Sequence, residues 1–179
     1  MKSAVLFLTG MYVHIVLSIA VPIGVFFAAR YEHGGISFLL LAGYFLMVGA
    51  VHFLGWISAG MAICAYRSGD YGKLIQGWKL LKLRSVPFYI LNFLYSFIIW
   101  FVLIGASRGI LVLFVPIPVF FTCSMIVQSG IFGVCVVRYL SRLPGYEKRP
   151  AWIHYILQLI SVLDLISTIL ILKKYPADL

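Results

Sequence analysis

Ile36 to Tyr66 reads ISFLLLAGYFLMVGAVHFLGWISAGMAICAY, a run without a single Asp, Glu, Lys or Arg. An α-helix needs only about 20 mostly apolar residues to cross about 30 Å of hydrocarbon. At about 1.5 Å of rise per residue this run exceeds that span, and tilt is the expected accommodation. A soluble core helix has no use for such a length of apolar surface on every side.

The rest of the chain agrees. Hydrophobic residues make up 63% of 179 and charged residues 11%, against about 45 to 50% and about 25% in ordinary soluble domains. Four further apolar runs stand beside the first, which predicts an all-α membrane protein: one polytopic bundle over residues 1–179 with spans at about 4–29, 36–66, 87–106, 109–137 and 151–172. The run from residue 4 is longer than the apolar core of about 7 to 15 residues in a cleaved signal peptide, so it is read as a span. Pro22 within it predicts a kink that a membrane helix tolerates. Pro116 and Pro118 predict that the first third of the fourth run is not a regular helix.

Between Arg67 and Val86 the composition changes. Gly69 and Gly72 mark a turn, and Tyr71, Leu74, Ile75, Trp78 and Leu81 then recur at helical spacing, away from Lys73, Gln76 and Lys79. The pattern predicts an amphipathic helix over about 71–84 lying in the membrane interface. Its bases, with the neighbouring Arg67 (Arg67, Lys73, Lys79, Lys82 and Arg84), are expected to contact anionic lipid headgroups. Trp78, Trp100, Trp152, Tyr139 and Tyr175 fall near span ends, where aromatic anchors sit.

The formal charge of +9 would suggest nucleic acid in a soluble protein. Here the bases sit in short connections between apolar runs, which the positive-inside bias explains without a polynucleotide. Lys2 and the bases of the second and fourth connections share one side, leaving Arg30, Arg108, Lys173 and Lys174 on the other. This predicts a multi-pass cell-membrane protein with a cytoplasmic amino terminus, with the lipid bilayer and a membrane protein or second copy as partners.

Ionisable groups inside hydrocarbon cost about 2.5 to 3.5 kcal/mol on insertion scales. Asp164 is the only carboxylate within a predicted span, and His14, His52 and Gln128 are expected at the same mid-membrane depth. His154, Gln158, Ser161, Asp164 and Thr168 occupy an arc of about 120 degrees on a helical wheel, a stripe expected to face the bundle interior. Ala42, Gly49, His52, Trp56, Ala59 and Gly60 form a similar arc of about 100 degrees. Ser129 and Gly133 add a small-xxx-small pair. One reading makes Asp164, His14, His52, Gln128, His154 and Gln158 a ligand or proton site. The other makes them interhelical hydrogen-bonding groups.

No GxSxG, HExxH, Walker A or GxGxxG pattern occurs, and no second intramembrane carboxylate joins Asp164, so an intramembrane enzyme is the minority reading. No cofactor is indicated. Cys64, Cys123 and Cys135 show no pairing or zinc spacing and are expected in the core. No spacing motif supports a metal at His14, His52 and Asp164.

Leu80 to Phe93, LLKLRSVPFYILNF, resembles families of small uncharacterised bacterial membrane proteins in which a basic interfacial helix meets Pro-Phe and an Asn at the next span. The resemblance implies a five-span bacterial inner-membrane protein and no particular substrate. Pro87 is then expected at a helix start and Asn92 in a bond to a neighbouring helix. Two functions remain open: an accessory or scaffolding subunit of a membrane complex, and a small transporter or substrate-binding subunit using the mid-membrane polar cluster. A cavity of about 300 Å³ or more would favour the second, a filled core the first.

Overall fold

The structure, a computed structural model, describes residues 2–31, 34–106, 116–143 and 161–174. Its helices are α1 (Lys2–Arg30), α2 (Gly34–Arg67), α3 (Tyr71–Arg84), α4 (Val86–Ala106), α5 (Pro116–Leu140) and α6 (Ser161–Lys174). Among the described residues there are no strands. Among the described residues, three segments are long and apolar enough to cross a membrane: Lys2–Ala28, Gly35–Arg67 and Val119–Leu140.

Glycine lets the first two helices approach closely. A Cβ at Gly10 would stand 3.0 Å from the Val51 side chain, and one at Gly24 would stand 3.1 Å from Leu40. Contacts that pair early α1 with late α2 and late α1 with early α2 make the two antiparallel. Tyr12 meets Phe88 edge-on at 6.3 Å and Tyr95 reaches Ser18, so α4 runs parallel to α1. On α5, Ser129 bonds Tyr89 and Thr122 bonds Asn92, so α5 opposes α4 and runs with α2. The start of α1, the ends of α2 and α5, and all of α3 therefore gather at one end. Lys2, Arg67, Lys73, Arg84, Arg138 and Arg142 stand there, and Arg30 stands at the other.

α1 continues as helix through Pro22. Proline has no N–H, so the carbonyl four residues earlier, that of Ser18, loses its helical donor. Tyr95 Oη donates to that oxygen instead, a repair by a neighbouring helix that allows proline inside a span. The proline expectation for the fourth run is resolved differently. α5 begins at Pro116 and contains Pro118 in its first turn, where the missing N–H would have been unpaired anyway. The part of that run before Pro116 lies outside the described residues.

Gly69, at φ +75°, takes the left-handed conformation that closes α2; glycine has no Cβ to oppose it. The Asp70 N–H donates to the Ala65 carbonyl at 3.0 Å. Asp70 then caps α3, its carboxylate accepting from the Lys73 N–H at 3.3 Å and from Lys73 Nζ at 2.5 Å. The Lys73 side-chain hydrogen bond holds the Asp70 carboxyl below its ordinary pKa, aided by the backbone bond. Lys73 is raised in turn by the same partner. At the other end of α3 the Arg84 carbonyl, past the last helical donor, accepts from Tyr12 Oη at 2.6 Å.

α3 exists over the predicted residues, but its apolar face is not spent on lipid. Leu74, Ile75, Trp78 and Leu81 are buried, and α3 packs against α1, α2, α4, α5 and α6. Trp78, expected as an interface anchor, is 0% exposed. Gly77 lets α5 approach, since a Cβ there would stand 2.8 Å from Phe132. The core joins Phe7 and Met11 of α1 to these residues and to Val136 and Leu140 of α5. Lys82 is 3% exposed and so is not turned toward headgroups. Amphipathic spacing marks an apolar face; whether lipid or protein covers it depends on how the neighbouring helices fold over it.

The outer surface is apolar in the manner of a lipid-facing wall. Phe93, Phe97 and Phe101, spaced by one turn of α4, stack in a ladder along its exposed side.

Candidate functional site

The mid-bundle polar groups lie on α1, α2 and α5. The buried face of α2 consists of Val48, Val51, Gly55, Ser58, Ala59 and Ala62. This is rotated from the predicted small-residue arc: Ala59 is shared, but Trp56 is 52% exposed and Gly49 and Gly60 face open space. Small residues pattern a helix weakly, because they are tolerated on either face.

His52 sits beside that face, half-buried. Its Nδ1 lies 2.8 Å from the Val48 carbonyl oxygen, one turn back, and its Nε2 lies 3.2 Å from the Phe121 carbonyl oxygen on α5. A neutral imidazole has one N–H and can donate to only one of the two. The ring also meets Phe121 edge-on at 4.8 Å. The Nε2 contact is the one that reaches from α2 to α5.

Gln128 crosses the same interface in the opposite sense. Its amide nitrogen donates to the His52 carbonyl at 3.2 Å and to Ser124 Oγ at 3.3 Å. Its Oε1 occupies the place where a side chain on Gly55 would begin. No hydrogen-bond donor among the described residues meets this buried oxygen. Gln128 is 0% exposed, and Phe7 closes the same spot from α1.

His14, on α1, has its Nδ1 3.4 Å from Tyr44 Oη on α2, with the two rings 5.8 Å apart. The structure therefore joins His52 to Gln128, and His14 to Tyr44. Asp164 belongs to α6, one turn before the buried Ser167 and Thr168, and α6 packs against α3 and α5; its side chain is not among those described. His154 and Gln158 lie outside the described residues. Ser129 and Gly133 are both buried on α5. Asn92 bonds Thr122 at 3.2 Å across α4 and α5, as its place after Pro87 predicted. Of the cysteines expected in the core, Cys135 is buried while Cys64 and Cys123 are exposed; a free thiol behaves as a small apolar side chain and patterns a helix weakly.

Sequence reasoning missed the roles of Gly55, Tyr44 and Tyr95. Only the last had a signal: a proline four residues after Ser18 announces a carbonyl in need of a donor. At the basic end it also missed how aromatic residues organise the charge. Tyr71 stacks on Tyr139 at 4.2 Å, and Arg138 and Arg142 both stand over the ring of Tyr66.

Among the described residues, these features define an all-helical protein with helices long and apolar enough to span a membrane and a polar interior that is only partly hydrogen-bonded, since Ser58 Oγ, Gln128 Oε1 and Thr168 Oγ1 are buried without a partner. The chain belongs to a family of unknown function (DUF6652), whose pattern it matches over residues 2–177. No curated protein and no solved structure matches it.

Proposed function

We infer that this protein is an accessory or scaffolding subunit of a membrane complex, a five-span bundle of a bacterial inner membrane with its amino terminus in the cytoplasm. The observation that carries the reading is the filled interior at Gln128. Its amide is tied to α2 and its oxygen stands where a Gly55 side chain would be, with Phe7 against the same spot. A transport pathway needs room for a substrate at mid-depth, whereas a scaffold needs helices held in one arrangement. α1, α2, α4 and α5 alternate in direction and supply four crossings in this reading, and α6 is assigned to the fifth. The bases gathered at the end where α1 begins support the orientation, because cytoplasmic loops are enriched in Lys and Arg. Exposed Arg67, Lys73 and Arg84, with half-buried Lys79, meet anionic headgroups there; Lys82, being buried, is left out of that set.

The test is extraction from native membranes in a mild detergent, followed by mass measurement of the particle. A fixed stoichiometry with a second membrane protein supports the scaffold; a lone chain in its micelle overturns it.

The second reading, a small transporter or substrate-binding subunit using Asp164, His14, His52, Gln128, His154 and Gln158, draws on one observation. Asp164 stands one helical turn before buried Ser167 and Thr168. Infrared difference spectroscopy of wild type against Asp164→Asn separates the two. A carboxyl band that titrates near neutral pH and vanishes in the variant favours the site, and a silent carboxyl leaves Asp164 as interhelical glue.

A further inference from the structure

Arg138 closes the last turn of α5, and Arg142 follows one turn later in the bend Ser141–Leu143, where its N–H donates to the Tyr139 carbonyl at 3.0 Å. Their guanidinium carbons stand 6.0 Å and 5.1 Å from the centre of the same ring, that of Tyr66 at the end of α2. That ring is braced: Tyr66 meets Tyr71 at 6.3 Å, and Tyr71 stacks on Tyr139 at 4.2 Å with planes 24° apart. Two like charges gathered over one ring repel each other unless an anion joins them. Among the described residues, neither guanidinium has a carboxylate partner; the ion pair at this end joins Asp70 to Lys73.

We propose that Arg138 and Arg142, held over Tyr66, bind the phosphate of an anionic phospholipid headgroup. A guanidinium presents a planar N–H edge that matches two phosphate oxygens at once. Both arginines are exposed. The site lies where two span-forming helices, Gly35–Arg67 and Val119–Leu140, both end. That is headgroup height, so the phosphate is a lipid's rather than one free in solution. This site is separate from the bases of α3, and it stands whether the protein is a scaffold or a transporter.

The full chain in detergent micelles, supplied with phosphatidylglycerol or phosphatidylcholine, is to be analysed by native mass spectrometry. Wild type retains phosphatidylglycerol in preference to phosphatidylcholine. Replacing both arginines, Arg138→Gln with Arg142→Gln, lowers that retention by roughly thirtyfold, given about one kcal/mol per basic group at an anionic surface. Tyr66→Leu keeps both charges but removes the ring that positions them, so retention also falls; this variant serves if the double replacement does not fold. Wild-type retention by a folded variant of either kind overturns the site. Equal retention of the two lipids overturns its preference for anionic lipid, and stripping of the lipid by millimolar inorganic phosphate reassigns the site to a free anion.

Discussion

Tyr95 on α4 donates its phenol hydrogen to the carbonyl oxygen of Ser18 on α1, the acceptor that Pro22 deprives of a helical N–H. A defect in one helix thereby becomes a contact between two, and the position of α4 along α1 is tied to it. Tyr95→Phe leaves that buried carbonyl unpaired and is expected to destabilise the bundle by about 1 kcal/mol or somewhat more. Pro22→Ala restores the donor within α1, so Tyr95→Phe in that background should cost much less. Unfolding in mixed micelles of wild type, both single variants and the double variant measures the coupling. Simple additivity would show that the tyrosine acts through packing alone.

Gln128 fills the place of a Gly55 side chain. Gly55→Ala is therefore expected to separate α2 from α5 or to displace Gln128, at about 1 to 3 kcal/mol. Gln128→Ala in the same chain makes room and should recover part of the loss. Gly60→Ala, where a Cβ meets nothing within 4 Å, is the matched control and should be near neutral or slightly stabilising. Thermal unfolding by circular dichroism orders the variants, and equal effects at Gly55 and Gly60 would contradict the close approach.

Asp70 links the start of α3 to pH. Its carboxyl is held below the ordinary value of 3.8 by the Lys73 side-chain hydrogen bond, so the contribution of the cap is fully present above that value. It is lost as acidification proceeds through the lower folded-state pKa. Hydrogen exchange at the first-turn amides of α3 should be flat above about pH 4, once intrinsic rates are divided out, and lose protection below it. Asp70→Asn, a competent cap without a charge, should abolish that dependence, whereas Asp70→Ala should remove protection at every pH.

The antiparallel order of the helices has a readout in sidedness. With the native cysteines replaced, Ser68→Cys and Ser141→Cys should react with an impermeant maleimide from the same side of sealed vesicles, and Tyr31→Cys from the opposite side. Ser68 and Ser141 follow the parallel α2 and α5, and Tyr31 follows α1. Labelling of Ser141→Cys together with Tyr31→Cys would contradict the parallel arrangement of α2 and α5.

Much of this was legible in the residues. The apolar runs beginning at residues 4, 36 and 87 announced helices where α1, α2 and α4 are found, because a helix apolar on every side stands out by composition alone. Gly69 and Asp70 announced the turn into α3 and its cap, because those signals act within a few residues. The site was less legible. Gln128 donates to the His52 backbone carbonyl, but the face of α2 that receives it was misplaced. In a helix such as α2, where apolar and small residues occupy every side, the contrast that reveals a buried face in a soluble helix is absent.

Composition and local pattern decided the helical class, the long apolar helices and the uneven distribution of charge, since hydropathy, proline and glycine act within a few residues. Tertiary structure alone decided that α3 turns its apolar face to protein, that Tyr95 answers Pro22, and that Arg138 and Arg142 share the ring of Tyr66. Each of these joins residues far apart in the chain through the direction of a side chain. No local pattern encodes that direction; it follows from which helices lie side by side and how each is rotated about its axis.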